Sequence, residues 1–169
     1  MLLFVYTAIN KLLGFESFGI QLAQSPLLSA YAGLIAPSVI IAELLIVLLL
    51  CVKTTRLTGL YASLSLMVAF TVYIYLILNY SDFIPCSCGG LIEELSWTEH
   101  LLFNVVFIAL ALVAILLTEK EKGTPAVAVV VRSVLPSLAA AGLVVALFLS
   151  SEHIIKQRTI SSGGLGNTP

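Results

Sequence analysis

The stretch LIAPSVIIAELLIVLLLCV, residues 34–52, contains one formal charge, Glu43, in nineteen residues. A helix rising 1.5 Å per residue needs about 20 predominantly apolar residues to cross a bilayer. This stretch is that long and shows no alternation of apolar and polar positions. It therefore reads as a transmembrane helix and not as a strand of a membrane barrel. Working outward, three further stretches have the same character: about Thr58 to Asn79, about His100 to Leu117, and Ala126 to Leu149, where Arg132 interrupts the start. A fifth, Met1 to about Leu13, is too short to cross comfortably.

The composition agrees. The chain has 169 residues, 60% hydrophobic and 10% charged, with a mean hydropathy of +1.11. Soluble domains carry about 25% charged residues. Eight Lys/Arg and nine Asp/Glu cannot cover a soluble surface. A secreted domain, a soluble enzyme and a nucleic-acid binder are excluded on this ground, and disorder is excluded by the abundance of apolar residues. The expected fold class is an all-α integral membrane protein, a four-helix bundle with a fifth, C-terminal transmembrane helix. Residues 1–118 form the bundle, 119–149 a cytoplasmic loop and the added helix, and 150–169 a short polar tail whose Ser/Gly-rich end reads as disordered.

A signal peptide places cations before its apolar core. Here Lys11 follows the apolar run, so residues 1–13 are expected to be a retained helix. Its shortness implies a start inside the helix, or a thin or tilted helix. Between Gly14 and Pro37, Phe15, Phe18, Leu22, Leu27, Leu28 and Tyr31 recur at helical spacing, with Pro26 breaking the run. That pattern predicts a short interfacial helix and a second piece feeding the next span; the alternative is an irregular packed loop.

Orientation follows the placement of Lys and Arg in short loops. Lys53 and Arg56 follow the second span, and Lys120, Lys122 and Arg132 follow the fourth. The segment 80–99 has no Lys or Arg and carries Asp82, Glu93, Glu94 and Glu99. The basic loops, and with them the N-terminus, are expected in the cytoplasm of a bacterium. The acidic loop then faces the periplasm, across the inner membrane. Lys156 and Arg158 in the tail argue against an outside C-terminus.

That acidic loop contains Phe83-Ile84-Pro85-Cys86-Ser87-Cys88-Gly89-Gly90. Two cysteines one residue apart, on an oxidising face, suit thiol–disulfide exchange: one thiolate attacks and its neighbour resolves the mixed disulfide. Ser96-Trp97-Thr98-Glu99 reads as a capping box opening the fourth span, whose positive dipole end favours a nearby thiolate. His100, one turn in, is placed to hydrogen-bond or protonate a sulfur. The nearby carboxylates oppose this. Two alternatives stand beside exchange: a static disulfide, and a soft-metal site such as copper(I) held by Cys86, Cys88 and His100. Cys51 lies beside the basic loop, about 30 Å away across the bilayer, and reads as an inert apolar side chain.

Glu43 is the intramembrane carboxylate, costly enough to be a functional candidate by default. It is nine residues from Val52, about 13 Å in depth. Helix arithmetic brings Ser63 and Ser65 to that depth on the third span, and Tyr6 and Thr7 on the first, with Lys11 within reach from the opposite side. Asn104, one turn below His100, extends the polar set. The functional reading is a polar pocket for a quinone or a proton; the bland one is a structural hydrogen-bond node. Tyr61, Tyr73, Tyr75, Tyr80, Phe83 and Trp97 read as interface anchors.

Taken together, Tyr6, Lys11-Leu12-Leu13, Phe15, Gln24-Ser25-Pro26-Leu27-Leu28, the Glu43 helix and Cys86-Ser87-Cys88-Gly89-Gly90 resemble the MauE/DoxX group of membrane proteins over about residues 1–118. The resemblance implies a role in disulfide formation or maturation of exported proteins, alongside a thioredoxin-like periplasmic partner or an exported thiol substrate. It also implies that Cys86 and Cys88 are the redox pair. The short first helix and the added fifth helix depart from the group's pattern. The rival readings are a quinone-coupled disulfide generator, a copper-binding membrane protein and a structural subunit.

Overall fold

The computed structural model describes residues 1–24, 31–80 and 97–163. Among the described residues there are six helices and no strand: α1 Leu2–Leu13, α2 Phe15–Gln24, α3 Ala32–Cys51, α4 Arg56–Tyr80, α5 Trp97–Glu121 and α6 Ala126–Gly163. Four stretches, Ala32–Cys51, Arg56–Tyr80, Thr98–Glu121 and Ala126–Ser151, are long and apolar enough to cross a membrane. The protein is an all-α membrane protein.

The long helices are apolar on all sides, as lipid-facing helices are. On α3 the buried positions are Ala32, Ala36, Ile40, Glu43, Ile46 and Leu50, one stripe at helical spacing. Leu45 and Leu48, off that stripe, are exposed. The helix α4 is the spine, with α3, α5 and α6 all packed against it. Close approach of α3 and α4 depends on Gly59. A methyl group there would meet Leu50 Cδ2 at 3.0 Å and Leu49 Cβ at 3.1 Å.

The N-terminal region has the two short helices the sequence predicts, α1 and α2, and they lie end to end along α3. The break is at Gly14, whose N–H donates to the Asn10 carbonyl at 2.9 Å and whose carbonyl accepts from the Phe18 N–H at 2.8 Å. Met1 Sδ lies 3.7 Å from Cys51 Sγ, so α1 runs antiparallel to the C-terminal half of α3. Phe18 and Leu22 of α2 are buried with Ala32, Ala36 and Ile40 of α3 and Leu76 and Ile77 of α4. Two small residues on α3 admit the large side chains of α2, which is why α2 joins the core. The arm from Leu2 to Gln24 is about 34 Å long at 1.5 Å per residue, comparable to a hydrocarbon core of about 30 Å.

At the end of the bundle that holds Met1 and the Lys53–Arg56 turn, a second buried carboxylate ties three helices together. Glu119 is fully buried. Tyr61 of α4 donates its hydroxyl to Glu119 Oε1 at 2.8 Å. Thr124 donates to Oε2. Arg132 Nη1 of α6 lies 3.6 Å from Oε1, its side chain 60% exposed. The helix α5 thus runs past Leu117 to Glu121 before Gly123, at φ 68, turns the chain. Arg132 does not interrupt a span but sits inside α6, paired across the turn. At its other end α6 continues through Gly163, beyond the position where the polar tail was expected to begin and into the Ser161–Pro169 stretch expected to be disordered; residues 164–169 lie outside the described residues.

Replacing Gly59 with Ile should overpack the α3–α4 contact and lower stability by about 1–3 kcal/mol, read as thermal unfolding in detergent. Gly142→Ala, where nothing lies within 4 Å, should not lower it. Glu119→Ala should cost more than Arg132→Ala, because it strands two hydroxyl donors, whereas an exposed ion pair is worth about 0–1 kcal/mol.

Candidate functional site

In the last turn of α1, Lys11 sits where the helix dipole favours a cation. Its Nζ forms an ion pair and hydrogen bond with Glu43 Oε1 of α3. The side chains are 11% and 1% exposed, respectively. The ammonium also lies 5.7 Å from the centre of the Phe18 ring and 5.3 Å from that of Phe70, within cation–π range. One buried charge is therefore met by an opposite charge and by two ring faces, contributed by α1, α2, α3 and α4.

This pair stands in the wall of a cavity of about 730 Å³. Thr7, Lys11, Ser38 and Glu43 make the polar part of one side; Ser65, His100 and Asn104 make the other. The serines are already engaged: Ser38 donates to the Leu34 carbonyl at 2.7 Å and Ser65 to that of Tyr61 at 2.9 Å. Glu43 Oε2 and Asn104 Nδ2 are buried with no hydrogen-bond partner among the described residues. The remaining wall is apolar and includes Pro136, Ala140 and Leu143 of α6.

The structure brings together Lys11, Glu43, Ser65, His100 and Asn104 around one cavity. It leaves Tyr6 out: that side chain is exposed on α1 and is not part of the wall. Ser63 is buried at the right depth, but its hydroxyl donates to the Leu60 carbonyl at 2.8 Å. Glu99 is exposed at the start of α5, and His100 is half-buried one position on. Cys86, Cys88 and Ser96 lie outside the described residues. Among the described residues no three His, Cys, Asp or Glu cluster as metal ligands. Cys51 is free and exposed, at the Met1 end.

Sequence reasoning missed two features. Phe18 and Phe70 flank Lys11, and apolar periodicity alone could not pick them out. Glu119, at the start of the stretch read as a cytoplasmic loop, was not singled out, although its distance of thirteen residues from Arg132 across one Gly-containing turn was a usable signal.

Breaking a buried pair leaves a bare charge at a cost of about 3–5 kcal/mol. Lys11→Met and Glu43→Leu should each destabilise the protein strongly. The double variant, with apolar side chains of similar volume, should return most of the loss. Thermal unfolding of all four proteins in one detergent measures this.

Known proteins place the chain as follows. No curated protein and no solved structure shows significant similarity to it. A family model described as methylamine utilisation protein MauE matches residues 1–117. The match takes in α1 to α4 and most of α5, including Lys11, Glu43, His100 and Asn104, and it stops before α6. Matched over more than half its length by that model, the chain belongs to the MauE family of membrane proteins.

Proposed function

We propose that this protein is a membrane-embedded thiol–disulfide exchange protein acting through Cys86 and Cys88. One observation carries the reading. The connection holding both cysteines joins the end of α4 at Tyr80 to the start of α5 at Trp97, the end of the bundle where His100 enters the cavity wall. The basic turns lie at the other end, about 37 Å away along the 25 residues of α4. On the rule that cations stay in the cytoplasm, the cysteines face the periplasm of a bacterial inner membrane.

The chemistry balances within the pair and its partner. A thiolate of Cys86 attacks a partner disulfide, a new S–S bond forms, and one partner sulfur leaves as thiolate. Cys88 then attacks Cys86 sulfur, and the second partner sulfur leaves. Two electrons pass to the partner, and the pair ends as a disulfide. The reverse sequence oxidises the partner. An exported protein with a thioredoxin-like dithiol is the partner that such a pair suits, and maturation of exported proteins is the corresponding process.

A Cys88→Ser variant should accumulate a mixed disulfide through Cys86, seen as a reductant-sensitive band whose partner mass spectrometry identifies. A membrane-impermeant maleimide should label reduced Cys86 and Cys88 in intact cells and spare Cys51. No trapped species from either Cys88→Ser or Cys86→Ser, or labelling of Cys51 alone, would sink the proposal.

A further inference from the structure

Arg132 stands within a membrane-spanning segment, Ala126–Ser151, and its side chain is 60% exposed. On one side the guanidinium reaches toward Glu119, but Nη1 stops 3.6 Å from Oε1, too far for a hydrogen bond. Both Glu119 oxygens already accept from hydroxyls, Oε1 from Tyr61 and Oε2 from Thr124. The guanidinium carries five N–H donors, and the carboxylate engages none of them. Around Arg132 on α6, Val127, Val130, Val131, Val134 and Leu135 are all exposed and apolar. A cation set among such residues in a bilayer marks a functional position by default.

A second cation shares the place. Lys122, exposed just past α5, donates its backbone N–H to the Glu119 carbonyl at 3.1 Å. Gly123, at φ 68, then turns the chain back toward α6. The charges of Lys122 and Arg132 both act on the Glu119 carboxylate. Two cations thus flank one anion, and the cluster carries one net positive charge. Its depth suits a headgroup. Ala126–Ser151 has 26 residues, about 39 Å of helix, against a hydrocarbon core of about 30 Å. Centred on that core, the segment extends about 4 Å beyond it at each end. Arg132, about 9 Å along the axis from Ala126, lies just inside, from where a long side chain snorkels to headgroup level. Leu135 and Ala139, both exposed, continue the Arg132 face of α6 toward the bilayer centre.

We propose that Arg132 and Lys122 bind the phosphodiester of one anionic phospholipid, of the phosphatidylglycerol class, whose acyl chain lies along Leu135 and Ala139. The planar guanidinium donates to two phosphate oxygens at once, and the ammonium adds a point charge. A monoanionic headgroup brings the cluster to neutrality. A zwitterionic one leaves the positive charge unanswered, so it binds less tightly. The exposed apolar face of α6 commits the site to a lipid rather than to a free phosphate. Since Glu119 ties α5 to α4 and α6, the lipid seats against the joint that holds α6, the helix beyond the family match, to the bundle.

The test uses the delipidated full-length protein in dodecyl maltoside, titrated with dioleoylphosphatidylglycerol and with dioleoylphosphatidylcholine, with bound lipids counted by native mass spectrometry. Saturable binding of one phosphatidylglycerol per chain is expected, tighter than that of phosphatidylcholine. Arg132→Gln should weaken it about fivefold and leave thermal unfolding nearly unchanged, because an exposed ion pair contributes little to stability. Lys53→Gln removes a cation from the other basic turn at the same end and should leave the affinity as it is. Equimolar inorganic phosphate should not displace the lipid. The proposal is overturned if the two lipids bind equally, or if Arg132→Gln binds as the wild type does. An equal loss in Lys53→Gln would overturn it in favour of a diffuse attraction, and displacement by inorganic phosphate in favour of a free anion.

Discussion

A carboxylate in the middle of an apolar helix must find a partner, and the architecture follows from how Glu43 finds one. In hydrocarbon no water can answer it. The nearest cation is Lys11, at the far end of a helix too short to cross alone. Pairing them requires α1 to lie antiparallel along α3, which brings Met1 beside Cys51. The chain must then continue to the opposite end, and it does so as α2 after a break at Gly14. The broken arm is the geometric consequence of satisfying one charge.

The same pair shapes the centre of the bundle. A buried ion pair is held by geometry and by further contacts rather than by Coulomb attraction alone. Here the contacts are the rings of Phe18 and Phe70. Large rings around an ammonium, with small residues such as Ala42 and Ala69 also in the wall, leave open space. Toward the Met1 end the packing closes through Glu119, Tyr61 and Thr124, a clamp with both carboxylate oxygens engaged. The two buried carboxylates thus divide the labour. Glu119 is fully engaged and holds three helices together, whereas Glu43 leaves Oε2 buried without a hydrogen-bond partner among the described residues.

How much of this was legible in the sequence depends on what a membrane helix reveals. Depth was readable, because each residue advances by a fixed rise. Counting from Val52 placed Lys11, Thr7, Ser63 and Ser65 near Glu43. Rotation about the helix axis was not readable. A helix apolar on every side has no amphipathic stripe to orient it. Thr7 and Tyr6 share a depth, but only Thr7 faces the cavity. Ser63 and Ser65 share another, and only Ser65 lines it. The end of α1 at Leu13 and the start of a second short helix were readable; that α2 continues along α3 rather than away from it was not. Glu119 and Arg132 were not singled out as a pair because a charge near the end of a span has the same sequence signature whether solvated or buried. The cysteine pair was the plainest signal in the chain, and the family match supports its context without describing its chemistry.

The most direct measurement is solid-state magnetic resonance on the protein in lipid bilayers, with nitrogen-15 at Lys11 Nζ and carbon-13 at Glu43 Cδ. The account predicts a dipolar coupling for a pair in contact, a separation of about 4 Å or less. An absent coupling, with both residues well ordered, would contradict it, because the broken arm, its antiparallel seating and the polar wall of the cavity would then lose their common cause.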